Sequence, residues 1–164
     1  MPAKQKELGD LFLDTLKDIY YAEKQILRAL PKMAKAAQSD ELRKAFETHR
    51  SETEGQVERL DQVFEILGKR AAGKKCPAIE GLVEEGKEVM EEFKESDALD
   101  AGLLSGAQAI EHYEISRYGT LKTWAAQLGM QDAARLLDQT LAEEKKTDQL
   151  LTKIAVRAVN RKAA

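Results

Sequence analysis

Charged side chains fall on apolar helical stripes at four places in this sequence. Glu23 lies between Ile19 and Ile26, on their face of a helical repeat. His49, Glu52 and Gln56 follow one another at i, i+3 and i+7 on the stripe that joins Phe46 to Leu60. Gln108, Glu111 and Glu114 interrupt the run from Leu104 to Tyr118, and Glu144 and Asp148 stand between Leu141 and Leu151 at the spacing of the leucines themselves. Residues three and four apart share a helix face, so each set points where the apolar side chains point. A carboxylate taken out of water without compensation costs on the order of several kcal/mol, and grouping carboxylates adds repulsion. Two divalent or trivalent cations reverse that sign. Carboxylates with an imidazole suit iron or manganese, and a Glu from each of two helices plus Glu-x-x-His from the other two is a di-metal arrangement of helix bundles.

The four sets also correspond in pairs. Setting Glu23 against Glu111 and Glu52 against Glu144 brings Gln56 opposite Asp148, each four residues after its Glu. One feature departs from the di-metal arrangement: where Glu-x-x-His would place its imidazoles stand Gly55 and Thr147. His49, one turn before Glu52, still reaches a metal from the same face. That leaves an all-oxygen second site built from Glu111, Glu114, Glu144 and Asp148. Plainer readings stand beside these. The four glutamates become solvated if the helix phase is shifted. Glu114 and Asp148 fit salt bridges or supporting contacts, and His49 fits a hydrogen-bonded core histidine. His112 lies off the Glu111 face and reads as a surface or interface residue. Tyr20, Tyr113 and Tyr118 fit aromatic core filling or hydrogen bonds to ligands. Cys76, before Pro77 in a basic stretch, is either an idle thiol or one made reactive by its cations.

Such residues need long helices to carry them, and the pattern supplies them. Apolar residues recur at helical spacing almost from end to end, without alternating strand patterns. A first helix is predicted from about Lys6 to Ala37, with Leu8, Leu11, Phe12, Leu16, Ile19, Ile26, Leu27, Leu30 and Met33 inward and a kink at Pro31. Ser39 or Asp40 caps a second that ends near Gly68. A basic linker over Lys69–Pro77 leads to a shorter helix, Ala78 to Lys94, with Leu82, Val83, Val89, Met90 and Phe93 on its apolar side. A third long helix is capped near Ser96 and ends at Gly129. A fourth opens at Gln131 or Asp132 and carries Leu136, Leu137, Leu141, Leu150, Leu151, Ile154 and Val159. Two tight hairpins joined by one long connection, over about residues 69–95, give an all-α, ferritin-like antiparallel four-helix bundle with a short helix in the crossover. At 1.5 Å rise per residue these helices are about 40–45 Å long, a span that a short helix with extended flanks covers.

The composition agrees. The chain has 164 residues, 43% hydrophobic and 34% charged, with three Pro and ten Gly, the makeup of one domain of solvated helices. A net charge of −3, from 26 basic and 29 acidic residues, gives no electrostatic support for nucleic-acid binding. The basic tail (Lys153, Arg157, Arg161, Lys162) reads as a frayed, solvated helix end, with contact to an acidic surface as the alternative. No apolar stretch reaches the roughly 20 residues a membrane span needs. The opening residues lack the apolar run of a signal peptide, and a single cysteine fits a reducing compartment, so a soluble cytoplasmic protein is expected. No catalytic triad, phosphate loop or nucleotide fingerprint is present.

The stretches DIYYAEKQILRALPKMAKAA (18–37), FETHRSETEGQVERLDQVFE (46–65), KCPAIEGLVEEG (75–86), IEHYEISRYGTLKTWAAQLG (110–129) and LAEEKKTDQLLTKIA (141–155) resemble the bacterial YciE/YciF family. The resemblance covers nearly the whole chain. It implies a ferritin-like fold, a dinuclear iron-type centre, a homodimer and an association with stress responses. Carried onto this chain, it implies Glu23, His49 or Gln56, Glu52, Glu111, Glu114, Glu144 and Asp148 as ligands. Three functions are expected, in this order: redox handling of iron with a small oxidant, oxygen or peroxide; a structural, stress-associated homodimer in which metal only stabilises the bundle; and a metal-free helical scaffold.

Overall fold

The computed structural model describes residues 5–164; the first four residues of the opening stretch lie outside the described residues. Helix α1 spans Leu8–Ala36, α2 Asp40–Ile66, α3 Pro77–Glu92, α4 Leu99–Gln127 and α5 Gln131–Ile154, followed by a π-helical turn over Ala155–Val159 and a last helical turn, Asn160–Ala163. The helix of α1 continues through Pro31, which is exposed to water.

The ends are set by local chemistry. The Ser39 hydroxyl accepts a hydrogen bond from the Leu42 N–H and caps α2. Gly68 and Gly129 adopt φ of 63° and 78°, the left-handed conformation that closes a helix, and in both the residue after the glycine donates back five positions: Lys69 N–H to Phe64 O and Met130 N–H to Ala125 O. Helix α3 opens with Pro77, and the Cys76 sulfur accepts from the Ile79 N–H. Helix α4 starts later than expected, at Leu99. Ser96 does not cap it; its hydroxyl accepts from the Ala98 N–H within the preceding turn.

Helices α1 and α2 form one antiparallel hairpin, α4 and α5 the other. Helix α1 packs on α4, and α2 on α5, while α3 lies across α1 and α4. The direction of the second hairpin follows from one buried side chain. Asp100, in the first turn of α4, accepts from the N–H groups of Gln38 and Ser39 at 2.8 and 2.7 Å, so α4 begins where α1 ends. The crossover therefore travels the length of the bundle, which is the ferritin-like topology.

The core runs through Phe12, Leu16, Ile26, Phe46, Leu60, Phe64, Leu103, Tyr118, Leu121 and Leu151. Leu11, Leu150 and Phe93, expected inward, are 49%, 43% and 43% exposed. Leu11 and Leu150 each precede a buried neighbour, Phe12 and Leu151, and adjacent helical residues stand about 100° apart, so one of each pair must face out. The basic tail is docked rather than frayed: Ala155 and Val159 are buried, Arg157 pairs with Glu41, and Lys162 Nζ lies 3.4 Å from Asp97. No helix among the described residues is long and apolar enough to cross a membrane.

Candidate metal centre

Midway along the bundle the apolar layers are broken by charge. Glu23 from α1, His49 from α2, Glu111 and Glu114 from α4 and Glu144 from α5 are all buried. Ligand atoms of His49, Glu111, Glu114 and Glu144 lie within 4.8 Å of one another. His49 Nε2 stands 2.8 Å from Glu111 Oε1 and 3.8 Å from Glu144 Oε2. The 2.8 Å contact has ion-pair distance without hydrogen-bond geometry. Its partner nitrogen, Nδ1, lies 3.6 Å from Glu52 Oε2.

Hydrogen bonds account for few of these atoms. Tyr118, itself fully buried, donates its hydroxyl to Glu23 Oε1 at 2.5 Å. Glu23 Oε2, both nitrogens of His49, Glu111 Oε2, both oxygens of Glu114 and both of Glu144 are buried with no hydrogen-bond partner, as is Gln56 Oε1. Buried polar groups are normally paired, and each orphan costs roughly 1–3 kcal/mol. Seven of these nine atoms belong to His49, Glu111, Glu114 and Glu144, the group whose ligand atoms lie close enough together to hold a metal ion.

The protonation of the cluster follows from the same crowding. Burial pushes the Glu23 carboxyl up to about 7, against hydrogen bonds that favour its charged form. Burial, then repulsion from the other carboxylates, holds Glu114 well above the usual carboxylate range. Burial and Glu111 do the same for Glu144. For His49 burial works downward, but the Glu111 and Glu52 carboxylates outweigh it and raise the imidazole to about 10. The metal-free cluster thus holds protons that a cation would displace.

Other expected residues are placed apart from this group. Glu52 is only partly covered, its side chain 27% exposed between His49 and the Thr147 hydroxyl. Gln56 is buried, but its amide nitrogen is turned to Glu143 at 3.1 Å. Asp148 does not join the cluster. It accepts from Gln108 Nε2 at 3.2 Å and lies 3.1 Å from His112 Nε2 on the outer edge of the α4–α5 seam. Four residues advance about 40° past a full helical turn, which carries Asp148 off the line of Glu144. His112 is exposed, as expected. Cys76 is buried, and burial raises its thiol, so the basic linker does not activate it. Tyr113 is half-buried, donates to Asp18 and meets the Cys76 sulfur at 3.1 Å. Tyr20 donates to Asp61 at 2.9 Å.

Sequence reasoning missed Glu143 and Arg59. Arg59 Nη1 lies 2.9 Å from Glu143 Oε2, and that same oxygen accepts from Gln56, so the pair holds the Gln56 amide beside the cluster. Next to Glu144 in sequence, Glu143 gives no periodic signal of its own.

Comparison with known proteins agrees with this architecture. The family model described as "Domain of unknown function (DUF892)" matches residues 7–164. Protein YciF of Escherichia coli (strain K12) is 49% identical over 159 residues, 96% of each chain. The crystal structure of the E. coli stress protein YciF superposes with a TM-score of 0.91 at 48% identity, covering 96% of this chain and 99% of that one. YcfI of Rhodopseudomonas palustris gives 0.90 at 46% identity, covering 94% and 99%. A protein from Xanthomonas campestris pv. campestris, 22% identical, shares the fold with a TM-score of 0.75 over 96% of each chain.

Proposed function

The chain belongs to the DUF892 family, the family of YciF, and from that premise we propose that it is a dinuclear metal-binding protein of stress response that handles iron with oxygen or peroxide. The observation that carries this reading is the set of buried, unpartnered oxygens and nitrogens converging from four helices. Carboxylate oxygens with one imidazole suit iron, and manganese as second choice. His49, Glu111, Glu114 and Glu144 would hold the first ion. Glu23, beside Glu114, and Glu52, beside His49, extend the donor set to a second.

Two ferrous ions held by these residues would supply the two electrons that, with two protons, reduce peroxide to two waters. The residues around them position and shield. Tyr118 fixes the rotamer of Glu23 through its hydroxyl. The Arg59–Glu143 pair orients the Gln56 amide, leaving its Oε1 buried and free to accept. Glu52, the partly exposed carboxylate, is the contact an incoming hydrated ion meets first. A cytoplasmic homodimer is proposed with it, as the resemblance to the YciE/YciF family implies, and the stress role follows the related YciF, a stress protein of E. coli.

Metal analysis after anaerobic ferrous loading should find about two ions per chain, as bundles with Glu and His donors on four helices hold. The loaded protein should consume oxygen or peroxide faster than free iron, and Glu144→Ala should abolish the difference. Reproducible loading near one ion sinks the dinuclear reading. Full loading without oxidant consumption favours the alternative, a structural homodimer that metal stabilises.

A further inference from the structure

The crossover helix α3 leaves its apolar side incompletely covered. Leu82, Val83 and Met90 rest against the core of the bundle but stay only half-buried. Between α1, α3 and α4 lies a groove of ≈ 80 Å³, whose floor these residues share with Met33, Leu103 and Ile110. Its rim is cationic. Gln25, Arg28 and Lys32 follow one another at one-turn spacing along α1, and Lys87 lines the groove from α3. Among the described residues no carboxylate lines it. Composition alone does not explain this, for α3 carries six Glu and one Lys, and it is the Lys that borders the groove. Among the described residues Arg28 and Lys32, both exposed, form no ion pair, and Lys87 has a 3.5 Å contact with Glu84 on its own helix.

We propose that this groove binds a linear aliphatic carboxylate, a free fatty acid, with its chain along the apolar floor and its head group on Arg28 and Lys32. On a chain of net charge −3, an acid-free patch with three cations concentrates positive potential, which selects an anion. The Arg28 guanidinium offers a carboxylate two parallel N–H donors, and Lys32, one turn on, adds a second charge. The aliphatic floor gives the rest of the ligand no polar partner, so that part must be apolar. Size narrows the choice further. A cavity of about 150 Å³ takes up benzene, so ≈ 80 Å³ is too small for such a ring and suits a slender chain. Met33 and Met90, unbranched and polarizable, adapt to a flexible chain. Gly86 and Gly106 keep the groove clear, since an added Cβ at either would meet nothing within 4 Å. Ala29, Met33 and Ile110 stand between the groove and the His49 and Glu111 side chains, so its ligand does not depend on the metal centre.

Titration of the metal-free full chain, methyl-labelled for NMR, with decanoate below its micelle concentration tests the site. A single molecule should bind per chain, saturably, and shift the methyl signals of Leu82, Val83 and Met90. Acetate has the head without the chain, and decyltrimethylammonium the chain with the opposite charge; neither should shift them. Arg28→Glu with Lys32→Glu should weaken decanoate binding by about tenfold or more, as lost charge-assisted hydrogen bonds do. Gly106→Leu fills the groove while improving helix propensity, and should abolish binding in a chain that melts no lower than wild type. Decanoate that does not saturate, or that binds both variants as it binds wild type, overturns the proposal. An equal response to decyltrimethylammonium also overturns it. So do methyl shifts that follow protein concentration without ligand, which would assign the groove to a second copy of the chain.

Discussion

Among the described residues His49 is the only base buried with these four acids, and the protons of that group tie metal binding to pH. Glu23 is raised by burial from 4.5 to about 7, and His49, against burial, is raised by Glu111 and Glu52 from 6.5 to about 10. Both folded values lie above the ordinary ones. Each group therefore stabilises the metal-free fold fully below its ordinary value, and that contribution is lost as pH rises through the folded value. Metal-free protein should melt at a lower temperature at about pH 8 than at about pH 6, through these groups. Metal affinity should move the opposite way, because binding expels the same protons. Calorimetric titration in two buffers of different ionisation enthalpy would read that release; a buffer-independent heat at neutral pH would contradict it. These five residues were legible in the sequence because a carboxylate or imidazole at leucine spacing is conspicuous. Asp148 shared the spacing and still missed the cluster, since a small phase difference decides what a short side chain reaches. Glu143 and Arg59 were not legible, for their partnership joins residues on two helices that only the fold brings together.

Among the elements, the turn between α1 and α2 depends on a residue from neither. The Asp100 carboxylate is buried and accepts both N–H groups at the head of α2, while α4 itself has no side-chain cap at that end. Asp100→Ala leaves two amides without their partner and should cost roughly 1–3 kcal/mol in chemical denaturation. A loss below a few tenths would mean that water replaces the carboxylate freely. The contact of α3 with α4 is equally specific. A Cβ on Gly102 would come within 2.6 Å of Val89 Cγ1. Gly102→Ala should therefore destabilise by about 1–3 kcal/mol despite its better helix propensity, and Val89→Ala in the same chain should restore most of it. Helix number, order and approximate ends were readable, because periodicity and the Gly68 and Gly129 stops act locally. The late start of α4 and the docking of the tail were not. Both depend on long-range partners, Asp100 with Gln38 and Arg157 with Glu41.

At the scale of the whole molecule, the centre and the bundle make opposite demands. The centre places unpaired polar atoms where the bundle would be better served by packing, so the metal-free fold carries a cost that a bound cation offsets. At free metal about 100 times its dissociation constant, linkage contributes about 2.7 kcal/mol. For a chain of this size that is a rise of roughly 5–10 °C in melting temperature. Glu114 and Glu144 are the sharpest test, since both oxygens of each are buried without partners. Replacing them together with Met removes four orphaned oxygens, keeps the volume and leaves His49 its contact with Glu111. Truncating core residues normally destabilises. Here the metal-free double variant should melt at or above the metal-free wild type, by up to about 1–4 kcal/mol of stability, because crowded, unpaired buried polar groups give way to packed apolar ones. It should also lose the metal-dependent rise. Thermal melts of both proteins, with and without ferrous or manganous ion, separate the possibilities. A variant that keeps the full metal-induced rise would show that the ion binds away from these two carboxylates. A variant that melts well below wild type without metal would show that they support the fold in their own right.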